Sequence, residues 1–188
     1  MKNTKDLILQ KSRIIFALQG YEAFSIRHLA DEIGIAPSVI YHYFKDKDSL
    51  LKEMYLSTNT LLGEKREKLS QPETASEMLR QRIEFQVDNS EEIVAVLKYY
   101  MAYRKNFKKF KNGFVPNKSA LHMEEVLRYG VKTGEFKIKD LEDDAKVMTH
   151  AINGFLLEYY PYKPKGMEKY DLVQRIYNFL IRALKGGE

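Results

Sequence analysis

Ser25-Ile26-Arg27-His28-Leu29-Ala30-Asp31-Glu32-Ile33, Gly34-Ile35-Ala36, Pro37-Ser38-Val39-Ile40-Tyr41-His42-Tyr43-Phe44 and Lys45-Asp46-Lys47-Asp48-Ser49-Leu50 follow one another without interruption. The run is punctuated like two short helices and the start of a third. Ser25 is suited to cap a helix whose Ile26, Leu29, Ala30 and Ile33 fall at i, i+3, i+4 and i+7, a one-sided apolar stripe. Gly34 stands where a left-handed C-terminal residue is wanted. Pro37 fits the first position of the next helix, because its fixed φ is helical and its missing N–H is not needed there. Two helices joined by three residues that include Gly describe a helix-turn-helix. In that motif the second helix enters the major groove and its N-terminal residues reach base edges. Ile40 and Phe44, four apart, should pack inward on Leu29 and Ile33. Ser38, Tyr41 and His42 then share the opposite face, with Val39 and Tyr43 on the flanks. Hydroxyls and an imidazole can bond phosphates and base edges, and Val39 can touch a thymine methyl. A bundle corner carries the same punctuation, so periodicity alone leaves both readings open.

Outward from this core the chain reads as helix throughout. A first helix is expected from Thr4 to Gln19, with Ile8, Ser12, Ile15 and Phe16 on one face and Gly20 ending it. Asp46 caps a long fourth helix with Leu50, Met54, Leu61 and Leu62, broken by Ser70-Gln71-Pro72. Thr74-Ala75-Ser76-Glu77 matches a capping box and opens a fifth. Ser90, followed by Glu91 and Glu92, opens a sixth. Further helices are expected from about Lys118 to Lys132, Leu141 to Tyr160 and Glu168 to Lys185, with a Lys-, Asn- and Gly-rich loop at 108–117.

Composition sets limits. The 188 residues include no cysteine, which removes disulfides, zinc–thiolate sites, iron–sulfur clusters and cysteine nucleophiles. No apolar run approaches the ~20 residues a bilayer span needs, and no signal-peptide core is evident, so no membrane partner and a cytoplasmic location are expected. Lys and Arg number 31 against 26 Asp and Glu, a net +5. That excess is unevenly placed: eight cations against six acids in residues 1–52, eleven against three in 98–139. The basic stretch from Arg104 and Lys105 through Lys111 to Lys118 admits three readings: a solvated helix end, an entry for an anionic ligand, or a second DNA contact. Catalytic constellations are missing. His28 and Glu32, four apart, read as a solvated face, and Glu124-Glu125 and Asp143-Asp144 are adjacent pairs whose side chains diverge. There is no phosphate loop, nucleophile elbow or HExxH. No enzyme, no metal and no cofactor are expected.

The run from Gly20 to Leu50, with its Ile40-Tyr41-His42-Tyr43-Phe44 block followed by Lys45-Asp46-Lys47, resembles the DNA-binding domain of the TetR family of bacterial transcriptional regulators. Beyond about Leu56 the likeness is one of architecture. The resemblance implies an all-α chain: an N-terminal three-helix helix-turn-helix domain at 1–50, then a helical ligand-binding and dimerisation domain at 51–188. It implies that Ser25, Tyr41 and Lys47 contact phosphates of a double-stranded operator. Ser38, Val39 and His42 stand where base contacts are made, and Arg27 where one is possible. Ser38 departs from the commoner turn residues, which leaves the operator sequence open.

The family keeps a cavity for a small apolar or amphipathic ligand. Here Phe85, Tyr99, Tyr103, His122, Val126, Tyr129 and Phe155 are the candidates to line it, with Tyr103, His122 and Tyr129 as polar groups; Phe107 lies in the same aromatic set. Any one of these reads equally as core. Family members also dimerise through their last two helices, where Met148, Ile152, Phe155, Leu156, Tyr159, Val173, Ile176 and Leu180 form the expected homodimer seam. A two-fold reader needs half-sites about 34 Å apart, which one subunit cannot span. The expectation is a ligand-released repressor on a palindromic operator. The alternative is a helical protein-interaction module, or a small-molecule carrier, without sequence-specific DNA binding.

Overall fold

The computed structural model describes residues 4–104, 118–162 and 168–186. Among them all regular structure is α-helix: α1 (Thr4–Ala23), α2 (Ile26–Ile33), α3 (Pro37–Tyr43), α4 (Lys47–Glu67), α5 (Ala75–Asp88), α6 (Ser90–Tyr103), α7 (Lys118–Thr133), α8 (Leu141–Tyr162) and α9 (Lys169–Leu184). The expected boundaries hold to within a few residues, because local chemistry sets them. Thr74 accepts from the Glu77 amide while the Glu77 carboxylate accepts from the Thr74 amide, closing the capping box of α5. Asp46 and Ser49 do the same for α4. Gly20 interrupts α1 at φ 75°, and a last turn, Tyr21 to Ala23, follows the break. No described helix is long and apolar enough to cross a membrane.

The packing forms two compact units, Met1–Lys68 with Glu91–Lys109, and Leu69–Ser90 with Phe110–Glu188. In the first, α1 lies against α2 and α4, and α2 against α3. Its core is Ile8, Phe16, Phe24, Leu29, Ile40, Leu50, Leu51 and Met54, all essentially inaccessible to water. This grouping runs past residue 50, because α4 buries Tyr55, Thr58 and Leu62 as well as its first turn. In the second unit α5 is central, touching α7, α8 and α9, while α7 packs on α8. Leu79, Ile83, Met123, Leu127, Ile152, Leu156 and Ile176 fill it.

Long-range caps stitch this second unit together. The Glu135 carboxylate, just past α7, accepts from the Ala75 (2.8 Å) and Ser76 (3.1 Å) amides at the start of α5. Nearby, Phe136 donates its amide to the Gly130 carbonyl at 3.0 Å and buries its ring over Gly130. A Cβ at residue 130 would lie 2.1 Å from Cδ2 of that ring, far inside van der Waals contact. Gly130→Ala should therefore destabilise the fold by about 1–3 kcal/mol. Adding Phe136→Leu should recover part of the loss. Denaturant midpoints of the two variants check both.

Candidate nucleic-acid interface

α2 begins where the Ser25 hydroxyl oxygen accepts the His28 amide at 3.1 Å. It ends at Gly34, whose φ of 77° lets its amide reach the Ala30 carbonyl at 2.9 Å; the Ile35 amide bonds the same oxygen at 3.0 Å. Both bonds go to one carbonyl of the last turn, a group that a helix end can leave unpaired. The chain reverses in three residues, and Pro37 starts α3.

α3 is seven residues long. It is pinned from below by Ile40 and by Phe44 at its C-cap, both buried. Ser38, Tyr41, His42 and Tyr43 point to solvent, Tyr41 with 54% of its surface accessible, and Val39 is half-buried. The His42 ring meets Tyr43 edge to face, centroids 5.2 Å apart. The faces assigned from spacing are the faces observed. No part of the described chain covers the polar side.

The remaining candidates flank this helix. Ser25 and Arg27 are exposed on α2. Ser25 accepts the capping bond through a lone pair, which leaves its own proton to donate outward. Lys47, half-buried at the start of α4, donates to the Tyr21 carbonyl at 2.5 Å and sits 4.1 Å from the centroid of the Tyr21 ring. Its ammonium is thus held in place, and its other N–H donors remain.

The residues expected to bind a ligand fall in both units. Phe85 and Val126 are buried in the second unit, but Tyr99 and Tyr103 belong to the first. Tyr103 donates its hydroxyl to Asp48 Oδ1 at 2.6 Å, and Tyr129 donates to the Glu73 carbonyl at 3.0 Å. His122 Nδ1 lies 3.2 Å from Glu125 Oε2. The three polar groups expected to fix a ligand thus engage the protein itself. Sequence reasoning passed over two others. Gln86 on α5 and Thr149 on α8 are buried, and their side-chain oxygens have no hydrogen-bond partner among the described residues. An unpaired buried polar atom costs about 1–3 kcal/mol, so these are the groups in that core with bonding capacity to spare. A polar residue interrupting an apolar stripe was the available signal. Phe107 and the basic segment from Lys105 to Lys111 lie outside the described residues.

Burial divides the residues expected at the dimer seam. Met148, Ile152, Leu156, Tyr159, Val173, Ile176 and Leu180 are buried by their own chain. Phe155 alone of that set is exposed, and the outward stripe beside it is Val147, Ala151, Gly154 and Glu158, facing Phe179 of α9. With His150 these residues, Val147 apart, line an open groove of about 470 Å³.

Loss of the Ser25 hydroxyl removes the α2 cap. Ser25→Ala should cost about 1 kcal/mol of stability, read by thermal unfolding, with the helix content of the folded state unchanged.

The geometry agrees with known proteins. A family model described as "Bacterial regulatory proteins, tetR family" matches residues 8–54. The HTH-type transcriptional repressor KstR2 of Mycolicibacterium smegmatis is 36% identical over 50 residues, 27% of this chain and 24% of that protein. The curated likeness thus spans about a quarter of that relative's length. Solved structures cover nearly the whole chain. The ketosteroid transcriptional regulator KstR2 of Mycobacterium tuberculosis superposes with a TM-score of 0.73 at 16% identity, over 98% of this chain and 96% of that one. The transcriptional regulator FadR of Bacillus subtilis, solved with stearoyl-CoA, gives 0.63 at 16% identity, over 94% and 97%.

Proposed function

We propose, starting from the match of residues 8–54 to the TetR family model, that the chain is a transcriptional repressor which grips a palindromic operator as a homodimer and lets go when a small ligand binds. The observation that carries this reading is the exposed polar face of α3, held outward by buried Ile40 and Phe44. Residues 1–50 serve as the reading head and 51–188 as the ligand-binding and dimerisation domain, acting in the cytoplasm by binding rather than catalysis. α3 lies in the major groove. Tyr41, Ser25 and Lys47 donate to phosphates, while Ser38, Val39, His42 and Arg27 meet base edges.

A head whose first 52 residues carry eight cations against six acids grips DNA through a few placed contacts rather than a broad field. Two heads are then needed. The stripe of Val147 (58% exposed), Phe155 (43%) and Phe179 (53%) supplies the apolar surface for pairing. The ligand is small and apolar or amphipathic. FadR's acyl-CoA supports that class, and the spare oxygens of Gln86 and Thr149 within an apolar core suit it. Ligand and operator select different arrangements of the heads. A coupling of about 1–3 kcal/mol would weaken operator binding some 5–150-fold.

The test begins with selection of duplexes from a random pool by the full chain. Tyr41→Phe should weaken binding to the enriched and the random duplexes about equally, whereas His42→Ala should change which sequence is enriched. Equal losses on both kinds of DNA for both variants would defeat these roles. A flat salt dependence would instead favour a protein-docking module. Separately, Phe155→Glu combined with Phe179→Glu should convert the dimer to monomers in sedimentation and abolish tight binding to the enriched duplex. Each head should remain folded.

A further inference from the structure

α6 is preceded and followed in sequence by segments of the second compact unit, yet it is itself part of the first. Polar links tie it there from end to end. Arg13 Nε donates to Glu91 Oε1 at 3.1 Å and Lys65 Nζ to Glu92 Oε1 at 2.8 Å. Lys98 Nζ donates to the Leu18 carbonyl at 3.0 Å.

The last link differs in kind. Tyr103, the final residue of α6, donates to Asp48 Oδ1 at 2.6 Å, and the same oxygen accepts the Tyr21 hydroxyl at 2.9 Å. The two rings meet edge to face, 5.4 Å apart at 85°. Tyr21 in turn holds Lys47 through its carbonyl and its ring. One carboxylate oxygen in the first turn of α4 therefore joins the end of α6, the turn after the Gly20 break in α1, and a proposed phosphate-binding lysine. Behind Tyr103 the rings are stacked, on Tyr99 at 4.4 Å and from Tyr99 to Tyr55 at 4.4 Å. Stacked faces tolerate sliding, whereas a hydrogen bond at 2.6 Å weakens steeply once its length and angle leave a narrow range. A small movement of α6 along its axis thus keeps the stack and breaks the bond.

From this geometry we infer that Asp48, with Tyr21 and Tyr103, is a joint through which the end of α6 sets the position of the first turn of α4 and of Lys47. The joint positions the reading head and makes no DNA contact of its own. Burial and then Asp48 raise the proton affinity of Tyr103, and Asp48 raises that of Tyr21, so both phenols remain donors at neutral pH. The inference rests on the DNA-binding reading above but supplies what that reading lacks, a named contact by which a change beyond α6 reaches the head.

The absence of cysteine permits a direct measurement on the full chain. Nitroxide labels at Glu32→Cys on α2 and Met101→Cys on α6, both exposed positions, report the distance between head and α6 by pulsed electron resonance. Tyr103→Phe removes one hydroxyl and leaves the ring. It should broaden the distance distribution and lower affinity for the wild-type-enriched duplex about fivefold without changing the preferred sequence. Tyr21→Phe should act in the same direction. Asp48→Ala should equal the double Tyr21→Phe/Tyr103→Phe variant, and Asp48→Asn, which keeps an acceptor oxygen, should restore part of the effect. An unchanged distribution in Tyr103→Phe and Asp48→Ala overturns the joint, as does a changed distribution with unchanged affinity. If the wild-type chain enriches no duplex, the regulator reading fails on that ground, and the joint is judged by the distances alone.

Discussion

Seven residues do not hold a helix in water, since helices shorter than about 12–15 residues are marginal alone. α3 exists because Ile40 and Phe44 are enclosed beneath it. Each such burial contributes on the order of 1.5–3 kcal/mol. Everything proposed for the chain follows from where that burial leaves the other side. With two anchors four residues apart, the helix has no freedom to roll, so Ser38, Tyr41 and His42 stay outward. The tight reversal at Gly34 and the rigid entry at Pro37 then set the angle at which that surface is offered.

The rest of the first unit is arranged to keep this small platform still. Its interior is largely apolar and takes in the Tyr55–Tyr99 stack with α6, whereas its remaining links to α6 are polar and at the edge. Ion pairs such as Arg13 with Glu91 contribute little to stability when part-exposed, typically about 0–1 kcal/mol. Their value is directional. They add register against α1 and α4 to a helix that the Tyr55–Tyr99 stack already anchors. Glu92 illustrates the balance: burial raises its pKa, but Lys65 and its own backbone amide outweigh this and leave the carboxyl below its ordinary value. An attachment of this kind holds at neutral pH and weakens only as acid protonates the carboxylate.

Most of the fold was legible because helix ends are chosen locally. Ser25, Gly34, Pro37, Asp46 and the Thr74–Glu77 pair act within four residues of themselves, and each did in three dimensions what its chemistry predicts. The faces of α3 were legible for the same reason, since a single i, i+4 pair decides them. Distant partners were not. Tyr103 meets Asp48 across 55 residues, and Glu135 caps α5 across 60. Nothing in an aromatic stripe says which hydroxyl will find a carboxylate and which will line a pocket.

Which stripe of α8 and α9 would meet a second copy was not legible, for a sharper reason. Both helices carry apolar residues on two stripes, and periodicity cannot say which stripe faces the chain's own core. The larger aliphatic residues, Ile152, Leu156 and Ile176, turn inward, because a dense interior rewards them most. The outward stripe keeps small Ala151 and Gly154 between Val147 and Phe155, which lets a neighbouring helix approach closely. In the proposed dimer this seam is what makes a weakly basic head sufficient. Once one head is on the duplex, the second binds at the effective concentration set by the pairing, and modest affinities multiply. The apolar surface on α8 and α9 and the polar surface on α3 lie in different units, yet neither explains operator recognition without the other.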